Sequence, residues 1–187
     1  MTERLERFRE AMTANSARVH GPFPGDAAGR AVAELALERA DGRAVAVSIA
    51  DPIVAQLDLP ARLAAAGAEV LVPGDGDWRE ALASAGAGVT GAAFGLAATG
   101  TVAVPCGPGS PRATSLVPPA HVCLVRTADV VEDLAEALGR FAALPSGLPS
   151  GLAWVSGPSR SADLELTLTL GVHGPASVDV VLVDEPV

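Results

Sequence analysis

Short apolar runs alternate with longer Ala/Leu-rich stretches along this chain, and that alternation constrains its fold more than any other feature. Residues 44–49, Ala-Val-Ala-Val-Ser-Ile, read as a buried strand. The same reading fits 69–72, 87–90, 101–105, 121–125, 152–155 and 178–183. Helical patterns occupy 27–40, then 53–66 with an interruption at Pro60, then 76–85 from near Asp77. A last one spans about 130–143, with Asp129 as candidate N-cap. Strands that are apolar throughout belong in a mostly parallel sheet with both faces covered. Such sheets bind ligands beyond the carboxyl ends of their strands. That rule points to the residues just after Val155 and around Thr99 to Thr101.

The 187 residues suit one domain with a substantial core. Aromatics make up 3% and Tyr is absent, so the core must be built from Ala, Val and Leu. Residues 3–18 read as an amphipathic helix, with Leu5, Phe8 and Met12 on one stripe and Thr2 as N-cap. His20-Gly-Pro-Phe-Pro-Gly25 breaks it. Residues 1–20 are therefore read as a helical arm and 21–187 as a single domain, with an ordinary surface helix as the plainer alternative. The stretch 145–151 resembles a linker, but too little chain follows it to bury a core of its own.

Thirteen basic residues face 22 acidic ones, a net charge of −9. That balance argues against nucleic-acid binding and against docking on anionic lipid. It leaves room for an anionic small ligand, which needs one Arg and a few N–H groups. No apolar run approaches the roughly 20 residues of a membrane span. The charged N-terminus lacks a signal peptide's apolar centre, so the expected location is the cytoplasm. Cys106 and Cys123 are the only cysteines, too few for a zinc site or an iron–sulfur cluster on this chain. Cys123 reads as a buried small hydrophobe. Cys106 lies in a loop with no neighbour in sequence to lower its pKa.

Three segments carry candidate chemistry. The first is Gly86-Ala-Gly-Val-Thr-Gly91 continuing to Thr99-Gly100-Thr101, where glycines admit close backbone approach and hydroxyls offer hydrogen bonds. It matches neither the dinucleotide fingerprint nor a P-loop, and a plain glycine-rich turn stays open. The second is Ser156, Gly157, Ser159, Arg160 and Ser161 after a strand, a set suited to a carboxylate or phosphate. Asp163 reads first as a helix cap beside it, and Arg160 has an ion pair as its plain alternative. Residues 164–170 alternate Leu with Glu165, Thr167 and Thr169 as a half-exposed strand does, with a helical turn held open. The third is Gly171-Val-His173-Gly174-Pro. His173 is a candidate proton shuttle or anion donor, or a structural ring holding its loop. Arg112, in a Pro/Gly-rich loop, could close over a ligand. His121 precedes a strand and reads as buried at a sheet end.

Together Gly88-Val-Thr-Gly91, Ala98-Thr-Gly-Thr101, Ser156-Gly-Pro-Ser-Arg-Ser-Ala-Asp163 and Gly171-Val-His-Gly-Pro175 resemble the lactate-utilisation (LUD) domain, and closely the lactate utilisation protein C family. The likeness is strong over roughly 87–184 and loose before that. It implies a three-layer α/β/α fold with a mostly parallel sheet, of the NagB/RpiA/CoA transferase-like kind found in phosphosugar isomerases and coenzyme A transferases. It also implies a part in oxidising L-lactate to pyruvate beside partner proteins that carry iron–sulfur clusters, with no cofactor or metal on this chain. Many relatives have a Glu where this chain has Ala98. A carboxylate nucleophile of the coenzyme A transferase kind is therefore ruled out at that position.

The expected function is a cytoplasmic component of L-lactate utilisation that binds a small anionic ligand or partner. The expected ligand-binding set is Thr99, Gly100, Thr101, Arg112, Ser156, Gly157, Ser159, Arg160, Asp163, His173 and Gly174. The catalytic candidates are His173 and Glu165. The alternatives are a stand-alone phosphosugar isomerase-like or acyl/CoA transferase-like enzyme, or a non-catalytic module, with a homo-oligomer through the N-terminal helix left open.

Overall fold

A computed structural model describes residues 2–74, 76–143, 149–161, 169–171 and 173–184. In chain order the elements are α1 (Glu3–Ala14), β1 (Arg18–Pro24), α2 (Gly25–Ala40), β2 (Val45–Val47), α3 (Pro52–Gln56) and α4 (Leu59–Ala65). Then come β3 (Val70–Leu71), α5 (Trp78–Leu82), β4 (Ala87–Gly91), β5 (Phe94–Leu96), β6 (Thr101–Cys106), α6 (Ala113–Leu116) and β7 (Ala120–Arg126). The last are β8 (Val130–Val131), α7 (Leu134–Ala142), β9 (Gly151–Val155), β10 (Arg160–Ser161), β11 (Thr169–Leu170) and β12 (Ser177–Asp184).

The central sheet has six strands in the order β1-β12-β7-β4-β2-β3, and every described pair in it is parallel. This is the mostly parallel α/β architecture that the alternation of runs predicts. Its two faces separate by residue parity, as the pleat requires. Val122, Leu124, Val181 and Val183 pack under α2, α3 and α4, against Val32, Ala36, Ile53 and Leu63. Cys123, Val125, Val180 and Leu182 point the other way, onto Phe8 and Met12 of α1 and Val102 and Val104 of β6. Ala and Val fill both interfaces, which lets the layers approach closely without aromatic bulk.

On that second face lies a four-stranded sheet, β8-β5-β6-β9, with β5-β6 and β6-β9 antiparallel. Helix α7 closes its far side, where Phe141 meets Phe94 edge-on at 4.7 Å. The runs 101–105 and 152–155 thus belong to this sheet and not to the parallel one. The reason is physical. Burial on both faces produces an unbroken apolar run whichever direction the neighbouring strand takes.

Several boundaries move for local reasons. The 53–66 helix breaks at Leu57–Asp58, where Asp58 takes a left-handed conformation, and Pro60 sits in the first turn of α4, where its missing N–H is no loss. Val130 and Val131 form a strand, so α7 starts later and its cap is Asp133, not Asp129. The Asp133 carboxylate accepts from Glu136 N at 3.0 Å. Thr2 stands at the N-cap position of α1 but makes no side-chain capping bond. The segment that ends the first helix is itself strand β1. Its two prolines are tolerated because it lies at the sheet edge.

Helix α6 rests directly on the central sheet at Gly88. A Cβ there would stand 1.9 Å from the Thr114 carbonyl oxygen. Beside this contact, Thr90 Oγ1 lies 2.8 Å from His121 Nε2 on the neighbouring strand. His121 is fully buried, as its position at the strand start suggests.

Candidate functional site

A cleft of about 390 Å³ opens where the end of β9 meets α6 and the turn before β12. Its wall includes Arg112, Ser115 and Leu116 from the α6 segment, and Leu152 to Val155 from β9. Ser156, Gly157 and Ser159 follow that strand, and His173, Gly174 and Pro175 precede β12. Six of the expected site residues therefore share one cavity: Arg112, Ser156, Gly157, Ser159, His173 and Gly174.

Backbone bonds hold the two C-terminal motifs together. Ser159 N donates to Pro175 O at 2.9 Å, and Gly171 N donates to Ser159 O at 2.9 Å. Ala176 N donates to Pro119 O at 2.8 Å, which ties the His173 turn to the start of β7. The short pair β10-β11 continues this contact, with Arg160 opposite Leu170. The described part of 164–170, Thr169–Leu170, is thus strand, as the alternation suggests.

Thr99, Gly100 and Thr101 sit behind the cleft wall. Their link to it is a chain of hydroxyls. Thr99 Oγ1 lies 2.8 Å from Thr101 Oγ1, and Thr101 Oγ1 lies 2.8 Å from Ser156 Oγ. Thr101 is buried, so the chain leads from the exposed Thr99 through the interior to the cleft. Helix α1 braces it from outside. Asn15 Nδ2 donates to Thr99 O at 2.9 Å, and Asn15 O crowds Gly157, where a Cβ would stand 2.3 Å away. Gly157 also has φ of +153°, so only glycine fits there without strain.

Arg160 is not part of the cleft wall. Its guanidinium donates to Ser16 Oγ at 2.8 Å, just past the end of α1. Arg112 does line the cleft, and among the described residues its guanidinium has no hydrogen-bond partner. Asp163 and Glu165 lie outside the described residues. Ser115, Leu116 and Trp154 are wall residues that sequence reasoning missed. Trp154 is 40% exposed within a strand read as buried. A large aromatic on an otherwise apolar edge strand was the available signal.

The cysteines are thiols, not poised nucleophiles. Burial pushes the Cys106 thiol up, against smaller opposing effects of the Ala153 N–H and Arg112. Burial likewise pushes Cys123 up to about 12. Burial lowers His121 to about 4, so its ring is neutral at neutral pH. No group of three or more His, Cys, Asp or Glu among the described residues is placed to hold a metal ion. No described helix is long and apolar enough to cross a membrane.

The cleft departs from the strand-end rule. Residues after Val155 and around Thr99 to Thr101 border the second sheet. The α6 segment and the Gly174–Pro175 turn come before β7 and β12, so the cavity faces the amino ends of those parallel strands. At the carboxyl ends stands Asp51, whose carboxyl burial pushes up and whose Oδ1 caps α3 through Ile53 N at 3.1 Å.

A parallel sheet backed by a smaller mixed one, with a Ser/Arg/His cleft at their junction, defines an α/β domain. The family model of the LUD domain matches residues 5–183, and the chain belongs to that family. The crystal structure of a DUF162 family protein from Deinococcus radiodurans superposes with a TM-score of 0.69 at 26% identity, covering 97% of this chain and 96% of that one. The uncharacterised protein NMB1437 of Neisseria meningitidis serogroup B is 38% identical over 97 residues, 52% of this chain and 42% of its own length. Lactate utilization protein C of Exiguobacterium sp. is 36% identical over 110 residues, 57% of this chain and 48% of its own. The matches thus span under half the length of these curated relatives.

Proposed function

We propose that this chain is a cytoplasmic component of L-lactate utilisation that binds a small anionic ligand in the β9–α6 cleft. The observation that carries the reading is the convergence of both C-terminal motifs and Arg112 on one cavity. The relatives named lactate utilization protein C supply the process. Oxidising lactate to pyruvate removes two electrons and two protons. In this reading iron–sulfur partner proteins accept the electrons. The residues of this chain hold the anion: Arg112 by charge, Ser156 and Ser159 by their hydroxyls. His173, at the exposed lip, and the Ser156–Thr101–Thr99 hydroxyls offer a route for a proton.

Deletion of the gene should abolish growth on L-lactate while growth on pyruvate continues. Complementation with Arg112→Gln or His173→Ala should restore growth poorly, and Arg160→Ala should restore it nearly fully. Normal lactate growth of the deletion strain, with no redundant route, would sink the proposal. Turnover of a phosphosugar or an acyl-CoA by the purified chain would favour the stand-alone enzyme instead.

A further inference from the structure

The cleft is large for a bare small acid. At about 390 Å³ it falls within the roughly 300–1,000 Å³ of clefts that enclose drug-sized ligands, and a three-carbon acid occupies a small part of that. Its wall is also mixed in a telling way. Arg112, Ser156, Ser159 and His173 supply charge and hydrogen bonds, while Leu116 and Trp154 add apolar surface. Each of these two is 40% exposed, and they are among the few large apolar side chains of the described residues that water reaches. Exposed apolar surface gathered in a concave site marks a place that a ligand covers. An indole held in a strand offers a flat face at low entropic cost, and flat faces take planar rings.

We infer that the cleft holds an anion bearing a planar ring, of mononucleotide size, with the ring against Trp154 and the negative end toward Arg112 and His173. This rests on reading the cleft as an anion site and not on the lactate assignment. Charge supports the polarity. The chain carries −9 overall, and Arg112 sets a guanidinium on the cleft wall, where a negative group is accepted.

Calorimetric titration of the purified chain with AMP and with ribose 5-phosphate isolates the ring, because the two share sugar and phosphate. AMP should bind about tenfold more tightly, the scale of one base stacked on one aromatic side chain. Trp154→Ala should bring the two affinities together, while Trp154→Phe keeps most of the difference. Arg112→Gln should weaken both by a similar factor. Thermal unfolding of each variant near that of the parent shows that the fold is intact. Equal binding of AMP and ribose 5-phosphate overturns the ring inference and leaves the anion site standing. An AMP advantage that survives Trp154→Ala also overturns it. Binding of neither compound at millimolar concentration overturns both.

Discussion

Asp179 shows how much one residue can organise here. Its side chain is fully buried on β12, and it takes hydrogen bonds from Arg18 at 2.7 and 2.9 Å, from His20 at 2.8 Å and from Arg39 at 2.9 Å. Burial alone would raise its pKa. The bonds from His20, Arg18 and Arg39 outweigh that and hold the carboxyl well below the usual carboxylate range. Asp179→Asn leaves the mostly buried Arg39 and the half-exposed Arg18 without their countercharge. It should cost about 3 kcal/mol in urea unfolding at pH 7, the low end for a broken buried pair because Arg18 stays partly in water. A depressed carboxylate stabilises the fold above its unfolded pKa near 3.8 and loses that contribution as pH falls toward the lower folded value. The gap between parent and Asp179→Asn should therefore be constant above about pH 5 and shrink below about pH 4. His121 acts at higher pH. Its folded pKa is about 4 against 6.5 unfolded, so the unfolded state binds the extra proton between those values. Stability should fall by about 2–3 kcal/mol from pH 7 to pH 4.5 through this residue, and His121→Asn should remove most of that slope. The His121 burial was legible from its place at a strand start. The Asp179 cluster was not, because Arg18 and Asp179 are 161 positions apart and only the pairing of β1 with β12 brings them together.

At the scale of elements, the contacts of α1 matter more than its amphipathic stripe announced. Asn15 and Ser16, just past its end, reach the cleft's supporting loops. Asn15→Ala removes the bond to Thr99 O and should cost about 1 kcal/mol. Gly157→Ala forces a Cβ against Asn15 O at a backbone angle that alanine resists. It should cost more, about 2–3 kcal/mol, and should displace the Ser156 hydroxyl. Equilibrium unfolding gives the two costs, and the order between them checks the geometry. Long periodic elements such as α2 and long apolar ones such as β7 were readable because their own residues decide them. Phe94–Leu96 and Val130–Val131 were not, since strands so short carry no period and exist only by pairing with their neighbours, β5 with β6 and β8, and β8 with β5. The site divides in the same way. Ser156, Ser159 and His173 stand out by residue type within dense motifs, whereas Leu116 and Trp154 look like core until the fold leaves them uncovered.

The whole molecule is a stack in which the second sheet and α1 share one buried interface with the central sheet. Phe8 is the largest fully buried side chain in it, and its ring lies 3.0 Å from where a Cβ on Gly95 of β5 would stand. Leu5 and Met12 join the same cluster as Val102, Val125 and Leu182. An N-terminal helix that packs this way contributes to the stability of both sheets, so its loss should be felt by the entire domain and by the cleft. Phe8→Ala should lower unfolding stability by about 3–5 kcal/mol, the range for emptying a buried aromatic site. The transition should remain single, with fluorescence from Trp78 and Trp154 and far-ultraviolet circular dichroism changing at one urea concentration. A separately docked arm behaves otherwise. The variant would then show an early small transition for the helix followed by the main one at the parental midpoint. Coincident midpoints at lower urea place α1 inside the cooperative unit that positions the cleft, and a split transition places it outside.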